Sequence, residues 1–506
     1  MKDFFKTTII GRAALPRRPC FGLAALGSLA LFLAGCNLAP KYTKPTVETP
    51  PAFKEADGWK VAQPKDDSIR GPWWEMFNDP DLNALEAKVA VSNQTVQAAL
   101  ATFQAARAVV KEARAQYYPN VSVNPSATVG KASANAVNTS PKPSSTKITQ
   151  TYSLPADASW EPDLWGTTRN TVQAARNNAL ADAATFQSIR LTAQAELAVD
   201  YYSLRSQDVL QKVLNDTVTA DSNAVRLTES LYQSGIDSDE DVSTAQTTLA
   251  TVVAQATGVA VLRAQYEHAI AMLIGQSPST FSIPVQLPAS NAPSHLPSIP
   301  LALPSELLER RPDIAAAERS VVAANAQIGV AKAAFYPSLS LSASGGLESV
   351  SLGSLFSGPS AFWSAGAAAA QTIFDGGLRS STVEQYRANY NATVANYRQT
   401  VLTAFQQVED NLSALRILSK EWDQQQAAVN SSARTLAIAT HRFELGIDSY
   451  LNVLSAQDIL LANQETAVGI QQSLLTSSVG LIMALGGGWD AAELPSGRRL
   501  TLKTPQ

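Results

Sequence analysis

Laid against itself at an offset of 211 residues, the sequence repeats: 166–275 falls on 377–486 without a gap, with Arg176 meeting Arg387 and Leu204 meeting Leu415. The longest run of identities sets Gly235-Ile236-Asp237-Ser238 on Gly446-Ile447-Asp448-Ser449, followed by Ala245-Gln246 on Ala456-Gln457. At an offset of 218, Tyr118-Pro119 falls on Tyr336-Pro337. A tandem duplication constrains architecture more than any single motif, because each copy must fold as the same unit. The change of seven between the two registers places the length variation around the intervening strands and loops. Each copy is expected to run helix, strand, loop, strand, very long helix, turn, helix.

Neither 166–234 nor 377–445 holds a proline, and at 1.5 Å per residue either forms a rod of about 100 Å, beyond an ordinary globular helix. Val401, Phe405, Val408, Leu412 and Leu415 are spaced as a coiled-coil seam, while the other faces carry Gln, Asn, Ser, Thr and Ala. Gly235 and Gly446 end the rods, and the following Ile-Asp-Ser offers a cap for the next helix. Two helical hairpins, 166–275 and 377–486, are therefore expected. Between the copies, 276–304 holds Pro278, Pro284, Pro288, Pro293, Pro297, Pro300 and Pro304; it cannot continue a helix and serves as the connection.

The strands are short and paired, in hairpins at 120–160 and 338–374. Val121-Ser122-Val123-Asn124 and Leu339-Ser340-Leu341-Ser342 alternate apolar with polar, and Ile148 to Trp160 keeps mostly apolar residues on even positions. Ala361 to Phe374 is less regular. Loops at 132–146 and 346–360 separate each pair. Tyr117, Tyr118, Trp160 and Trp165 in one copy, and Phe335, Tyr336 and Phe374 in the other, gather at strand ends, as suits the boundary between hydrocarbon and water. A transmembrane barrel needs at least about eight strands with no free edge, so four strands must associate with others. Three chains would supply twelve; the need to associate follows from the edges, the number three does not.

The first 35 residues run in three zones. A basic stretch holds Lys2, Lys6, Arg12, Arg17 and Arg18, an apolar core runs from Phe21 to Leu33, and Leu33-Ala34-Gly35-Cys36 follows. That order is a signal peptide ending in a lipobox. Cleavage before Cys36 and acylation of its thiol and new amine, palmitate among the chains, would anchor the protein to a bilayer. The only other cysteine, Cys20, is lost with the signal, so the mature chain of about 470 residues has no disulfide. Removing five basic residues and Asp3 from totals of 39 and 43 leaves 34 against 42, a net charge of −8, which argues against nucleic acid as a partner. No later segment shows the long uncharged apolar run of a transmembrane helix.

Catalytic signals are thin. His268, His295 and His441 are far apart in sequence with no Cys partners, which points away from a metal site. Gly486-Gly487-Gly488 follows a helix and lacks the lysine of a phosphate loop, so it is a helix stop. No Gly-x-Ser-x-Gly elbow occurs. Neither an enzyme nor a bound cofactor is expected.

Over nearly the whole mature chain, these features resemble the TolC-like outer-membrane factors, specifically the lipoprotein branch of NodT type that serves resistance-nodulation-division efflux pumps. The resemblance is carried by the lipobox, Trp73-Trp74-Glu75-Met76-Phe77-Asn78-Asp79-Pro80, Tyr118-Pro119, Trp160-Glu161-Pro162-Asp163-Leu164-Trp165-Gly166, Arg310-Arg311-Pro312-Asp313-Ile314, Phe335-Tyr336-Pro337 and Phe374-Asp375-Gly376-Gly377. It implies a mainly α fold with a small membrane β part: a homotrimer joining an α-helical barrel to a twelve-stranded transmembrane barrel in the outer membrane. It further implies a girdle from about 50–79, the Pro-rich connection and the tail 487–506. The implied partners are a periplasmic membrane-fusion adaptor, an inner-membrane transporter of the resistance-nodulation-division type and outer-membrane lipid. Asn37 after the lipid-bearing cysteine agrees with outer-membrane sorting. In such proteins the hairpin tips close the periplasmic end, here 443–455, beginning at Phe443, and 232–244. Relatives often carry aspartates at positions held here by Asn452 and Ser455, while Leu451 matches an apolar gate position. Asp237, Asp239, Glu240, Asp241 and Asp448 crowd the neighbouring turns as the expected acidic entrance. Acids at a helix start also simply favour the helix dipole, a reading that weighs equally for Asp237, Asp239 and Glu240, whereas Asp241 and Asp448 are expected at the gate with Phe443, Leu451, Asn452 and Ser455.

Two rivals remain open from sequence: a lipid-anchored periplasmic adaptor or coiled-coil scaffold, and a duct for type I protein secretion. The amphipathic strand pairs speak against the scaffold, and the lipobox with the NodT-type motifs leans toward small-molecule efflux.

Overall fold

The computed structural model describes residues 37–55, 71–131, 148–287, 297, 299 and 304–495. The signal segment, Cys36, the loop at 132–146, most of 288–303 and the tail from 496 lie outside the described residues. Among the described residues, besides a single turn at Leu307–Arg310, seven longer helices carry the chain: α1 (Pro80–Ser92), α2 (Gln94–Ala115), α3 (Thr167–Gln233), α4 (Asp239–Leu273), α5 (Pro312–Ala333), α6 (Leu378–Glu444) and α7 (Tyr450–Ala484). The rods α3 and α6 have 67 residues each, and α4 and α7 have 35 each, with both ends of each pair 211 residues apart. Helices α2 and α5, 22 residues each, are 218 apart.

All four helices of the two hairpins end alike. Gly235, Gly275, Gly446 and Gly486 take positive φ after α3, α4, α6 and α7. The N–H of the next residue then reaches back to Leu231, Ala271, Arg442 and Ile482 O, respectively, the 6→1 bond of a Schellman stop.

The chain divides into two compact units. One comprises 41–113, 172–326 and 384–506. Along α6, Tyr397, Val401, Ala404, Val408 and Leu412 have no exposed surface. The seam is that predicted, except that Ala404 takes the inner position, and Phe405, half-buried, touches both neighbouring clusters. Trp73 and Phe77 of the Trp-rich motif are buried, and the Phe77 ring lies 5.3 Å from Tyr202. Asp79 caps α1 through Asp81 N and Leu82 N and accepts the Tyr201 hydroxyl at 2.9 Å. Arg311 explains the Arg-Arg-Pro-Asp motif. Its buried guanidinium grips both Asp313 carboxylate oxygens, donates to Gln407 Oε1 and closes the C-terminus of α7 through Ala484 O at 2.8 Å. Asp208, its side chain fully enclosed, bridges Arg205 and Arg263, which hold Pro284 O and Ile283 O of the Pro-rich connection.

One expectation about apolarity needs correction. Both α4 and α7 contain 18-residue stretches of mean hydropathy 1.3 with at most two charges, long and apolar enough by composition to cross a membrane. In α7 half of that stretch is buried inside the protein, 17% in α4; the apolarity of α7 is largely taken up by its own core, including Val479, Leu481 and Ile482.

The other unit comprises 1–40, 114–171 and 327–383. It holds an antiparallel sheet of β1 (Asn120–Val123), β2 (Ser126–Lys131), β3 (Ile148–Trp160), β4 (Ser338–Ser349) and β5 (Ala361–Ala370). β1 and β2 pair in turn with β3, then β4 and β5 follow, so the order is four positions wide. Strand β4 continues well past Ser342, and β5 stops before Gln371, so the second hairpin is 338–370 and its loop begins at 350. Gly346 lies opposite Pro155, where any Cβ would meet Leu154 O at 2.1 Å. The first edge breaks at Asn124-Pro125, level with Pro155, whose carbonyl still accepts Asn124 N, as prolines interrupting a ladder require.

Candidate functional site

Side chains directly opposite on antiparallel strands share a face, so the register assigns every residue of the sheet. One face is mainly apolar, with Val121, Val123, Ala127, Val129, Ile148, Tyr152, Leu154, Ala156, Ala158, Trp160, Leu339, Leu341, Ala343, Leu347, Ala361, Trp363, Ala365, Ala367 and Ala369, and turns polar only at Lys131, Gln150 and Ser349 toward one end. The opposite face carries Asn120, Ser122, Ser126, Thr128, Thr149, Thr151, Ser153, Asp157, Ser159, Ser338, Ser340, Ser342, Ser344, Glu348 and Ser364, with Pro155, Phe362, Ala368 and Ala370 as its apolar members. Its polar groups bond to one another: Ser344 Oγ donates to Asp157 Oδ1 at 2.6 Å, Asn124 Nδ2 to Asp157 Oδ2 at 3.3 Å, and Ser126 and Ser153 share a bond of 2.7 Å. Among the described residues much of the apolar face lies open: Trp363 is 84% exposed and Val129 68%. Monomeric soluble proteins rarely leave so large an apolar surface in water. From Tyr152 to Trp160 the band runs nine residues, about 30 Å along the strand and about 25 Å upright at the tilt usual in outer-membrane barrels. Among the described residues, neither β5 nor the β1–β2 side has a further strand partner.

The predicted aromatics meet at one end of this sheet. Trp165 stacks on Tyr336 at 4.8 Å and donates its indole N–H to Pro337 O, and Trp160 Nε1 donates to Tyr117 O. Phe374 is 88% exposed. At the same end Asp163 caps α3 through Thr168 N and Arg169 N, and Asp375, held low by the Arg379 guanidinium, caps α6 through Arg379 N.

The hairpin tips lie in the helical unit. Leu451, Asn452 and Ser455 are exposed, while Val453, Leu454, Ala456 and Gln457 face inward, so the three candidates form one open stripe of α7. Phe443 packs edge-on against Tyr450 at 5.0 Å. Asp448 is clasped by Arg442 through two bonds of 2.6 and 3.1 Å, which lower its pKa. Asp241 completes a capping box with Ser238, and these hydrogen bonds hold its carboxyl below the usual range. Asp239 and Glu240 are exposed in the first turn of α4 and, with Asp241, face its positive dipole end; Asp237 is half-buried with Oδ2 unpartnered.

Sequence reasoning missed four groups here. Arg442 and Tyr450 lie across the turn from their partners, where helical periodicity carries no signal. Asp458 shares the exposed stripe three residues beyond Ser455, about 4.5 Å further along the helix; counting seven from Leu451 would have found it. The repeated Ala-Gln is a tie between helices: Gln246 Nε2 bonds Glu229 Oε1 at 3.1 Å, and Gln457 Nε2 bonds the buried Asp221 Oδ1 at 2.7 Å. Burial, then the neighbouring Asp458, pushes Asp221 up to about 6. Among the described residues no group of His, Cys, Asp and Glu is placed to hold a metal ion.

A sheet with one mainly apolar and one hydroxyl-lined face, with no further strand at either edge among the described residues, carried by a chain of paired helical rods, defines a channel-forming membrane protein. The chain belongs to the outer membrane efflux protein family, which it matches over 80–276 and 303–487. It is 31% identical over 487 residues to the toluene efflux pump outer membrane protein TtgC of Pseudomonas putida, covering 96% of this chain and 99% of that one. To the outer membrane protein OprJ of Pseudomonas aeruginosa it is 31% identical over 481 residues, 94% and 97% of the two chains. Among solved structures, the outer-membrane channel OprN superposes with a TM-score of 0.83 at 27% identity, over 90% of this chain and all of that one.

Proposed function

We propose that three copies of this chain close a twelve-stranded barrel in the outer membrane, and that the assembly is the passive exit duct of a tripartite efflux system. The chain would pass small molecules from an inner-membrane transporter of the resistance-nodulation-division type through a periplasmic adaptor to the outside. The observation that carries this reading is the two-faced sheet with free edges: in lipid every backbone N–H and C=O must be paired, and a polar inner face with an apolar outer face is what a water-filled barrel requires. The equal helix lengths, 211 residues apart, support descent of both halves from one duplicated unit. The relatives named for efflux pumps favour small-molecule cargo over protein secretion.

At the periplasmic end, Leu451 is the apolar plug, with Phe443, Asn452 and Ser455 around it. Asp458, with Asp237, Asp239, Glu240, Asp241 and Asp448, supplies the negative field at the entrance. Acylation of Cys36 adds a tether at the inner leaflet. In support, Ala39 packs where a Cβ on Gly329 would come within 2.7 Å of it, and Gly329 lies in the sheet-bearing unit, seven residues before Tyr336. The test is single-channel conductance of the purified protein in a planar bilayer, with its mass measured in detergent. A trimer of low basal conductance that opens in Leu451→Ser and Asp241→Ala is the expected result. Variants as closed as wild type would remove the gate assignment, and a lipid-released, water-soluble monomer would remove the channel.

A further inference from the structure

The three glycines after α7 exceed what ending a helix requires. Gly486 completes the Schellman stop, and the matching stop after α4 uses Gly275 alone, followed by Gln276. Gly487 and Gly488, at φ +58° and +84°, carry the chain through a further left-handed stretch so close to α3 that a Cβ on Gly487 would lie 2.1 Å from Leu191 Cδ1. This turn lines a cavity of about 280 Å³ together with Arg190, Gln194 and Trp489. Each of those three side chains brings a buried nitrogen donor without a hydrogen-bond partner: Arg190 Nε, Gln194 Nε2 and Trp489 Nε1. Gln194 is only 4% exposed and Trp489 8%. No carboxylate lines the cavity, and Arg190 takes part in no ion pair among the described residues. A cation and neutral donors with no carboxylate opposing them match a group that only accepts hydrogen bonds.

We propose that this cavity binds a small oxyanion of the phosphate or sulfate class, with the Arg190 guanidinium as its charged partner and the Gln194 amide and Trp489 indole as neutral donors. The proposal is independent of the channel reading, since none of the cavity's lining residues belongs to the sheet or to the hairpin tips. Titration calorimetry of the full-length protein in detergent, with inorganic phosphate against chloride of matched ionic strength, tests it. Saturable phosphate binding is expected, weakened at least about tenfold in Arg190→Ala, as loss of charge-assisted bonds requires, and severalfold in Gln194→Leu and Trp489→Phe. Melting temperatures and oligomeric size are read alongside, so that a misfolded variant is recognised and the remaining variants decide. Glycerol phosphate separates the sources: binding as tight as phosphate assigns the site to a phosphorylated headgroup, and exclusion assigns it to the free ion. No saturable binding in wild type, or unchanged affinity in the correctly folded variants, overturns the proposal.

Discussion

Glu86 is fully buried on α1, and neither carboxylate oxygen has a hydrogen-bond partner. Burial alone raises its pKa from 4.5 to about 9, so the folded protein holds the proton through neutral pH while the unfolded chain releases it. A carboxyl raised in this way contributes its full stability below pH 4.5 and loses it as pH climbs toward 9. Each unit costs about 1.4 kcal/mol, so between pH 5 and 8 the loss is at most about 4 kcal/mol. Glu86→Gln keeps the shape and cannot ionise; any packing penalty of the amide is a constant offset. Unfolding entropy of about 2 cal/mol/K per residue turns that energy into about 4 °C for a chain of this length. The assay is thermal melting of the detergent-purified protein at one scan rate from pH 5 to 8. The melting temperature of Glu86→Gln should gain on wild type steadily as pH rises. A difference that stays flat across this range would refute the reasoning.

Asp221 obeys the same sign at lower pH. Raised to about 6 from 3.8, it makes wild type gain at most about 3 kcal/mol over Asp221→Asn between pH 6 and 4, and parallel urea midpoints over that window would contradict this. Arg311→Lys keeps a charge but cannot hold Asp313, Gln407 and the Ala484 carbonyl together; breaking a buried pair costs about 3–5 kcal/mol, and a loss under about 1 kcal/mol in chemical denaturation would show the network to be incidental. Gly486→Ala should impair folding, because φ is +98° and the new Cβ would lie 2.0 Å from Arg310 O; a wild-type yield and melting curve would count against that geometry.

The helices were legible because their signals are local. Absence of proline set the rods, and a glycine at each stop set their ends to within one or two residues. The strands were legible only where serine alternates with leucine. Past Ser342 the sequence turns to Ala-Ser-Gly-Gly, which offers little contrast in polarity, so the length of β4 came from pairing with β3 and not from its own residues. Glu86 was overlooked although Leu82, Leu85 and Val89 share its buried face at helical spacing; an acid in that row is read as solvated unless the row itself is counted. Nothing in a linear reading joins Asp221 to Gln457, 236 residues away.

The two hairpin tips show how one repeated backbone is given different chemistry. Both carry Gly-Ile-Asp-Ser and the same stop, yet Ser238 and Asp241 close a reciprocal cap on α4, whereas Ser449 makes no side-chain cap on α7. At the corresponding place in the second tip, position 452 is an asparagine, and Asp448 turns away to Arg442. The first turn of α7 therefore rests on an exposed ion pair, which salt weakens, where the first turn of α4 rests on short-range hydrogen bonds that salt weakens far less. Leu451, Asn452, Ser455 and Asp458 all stand on the helix with the salt-sensitive start. That asymmetry cannot come from the repeat, which would have made both tips alike; it comes from the substitutions at 442 and 452, and it predicts that salt loosens the second tip before the first.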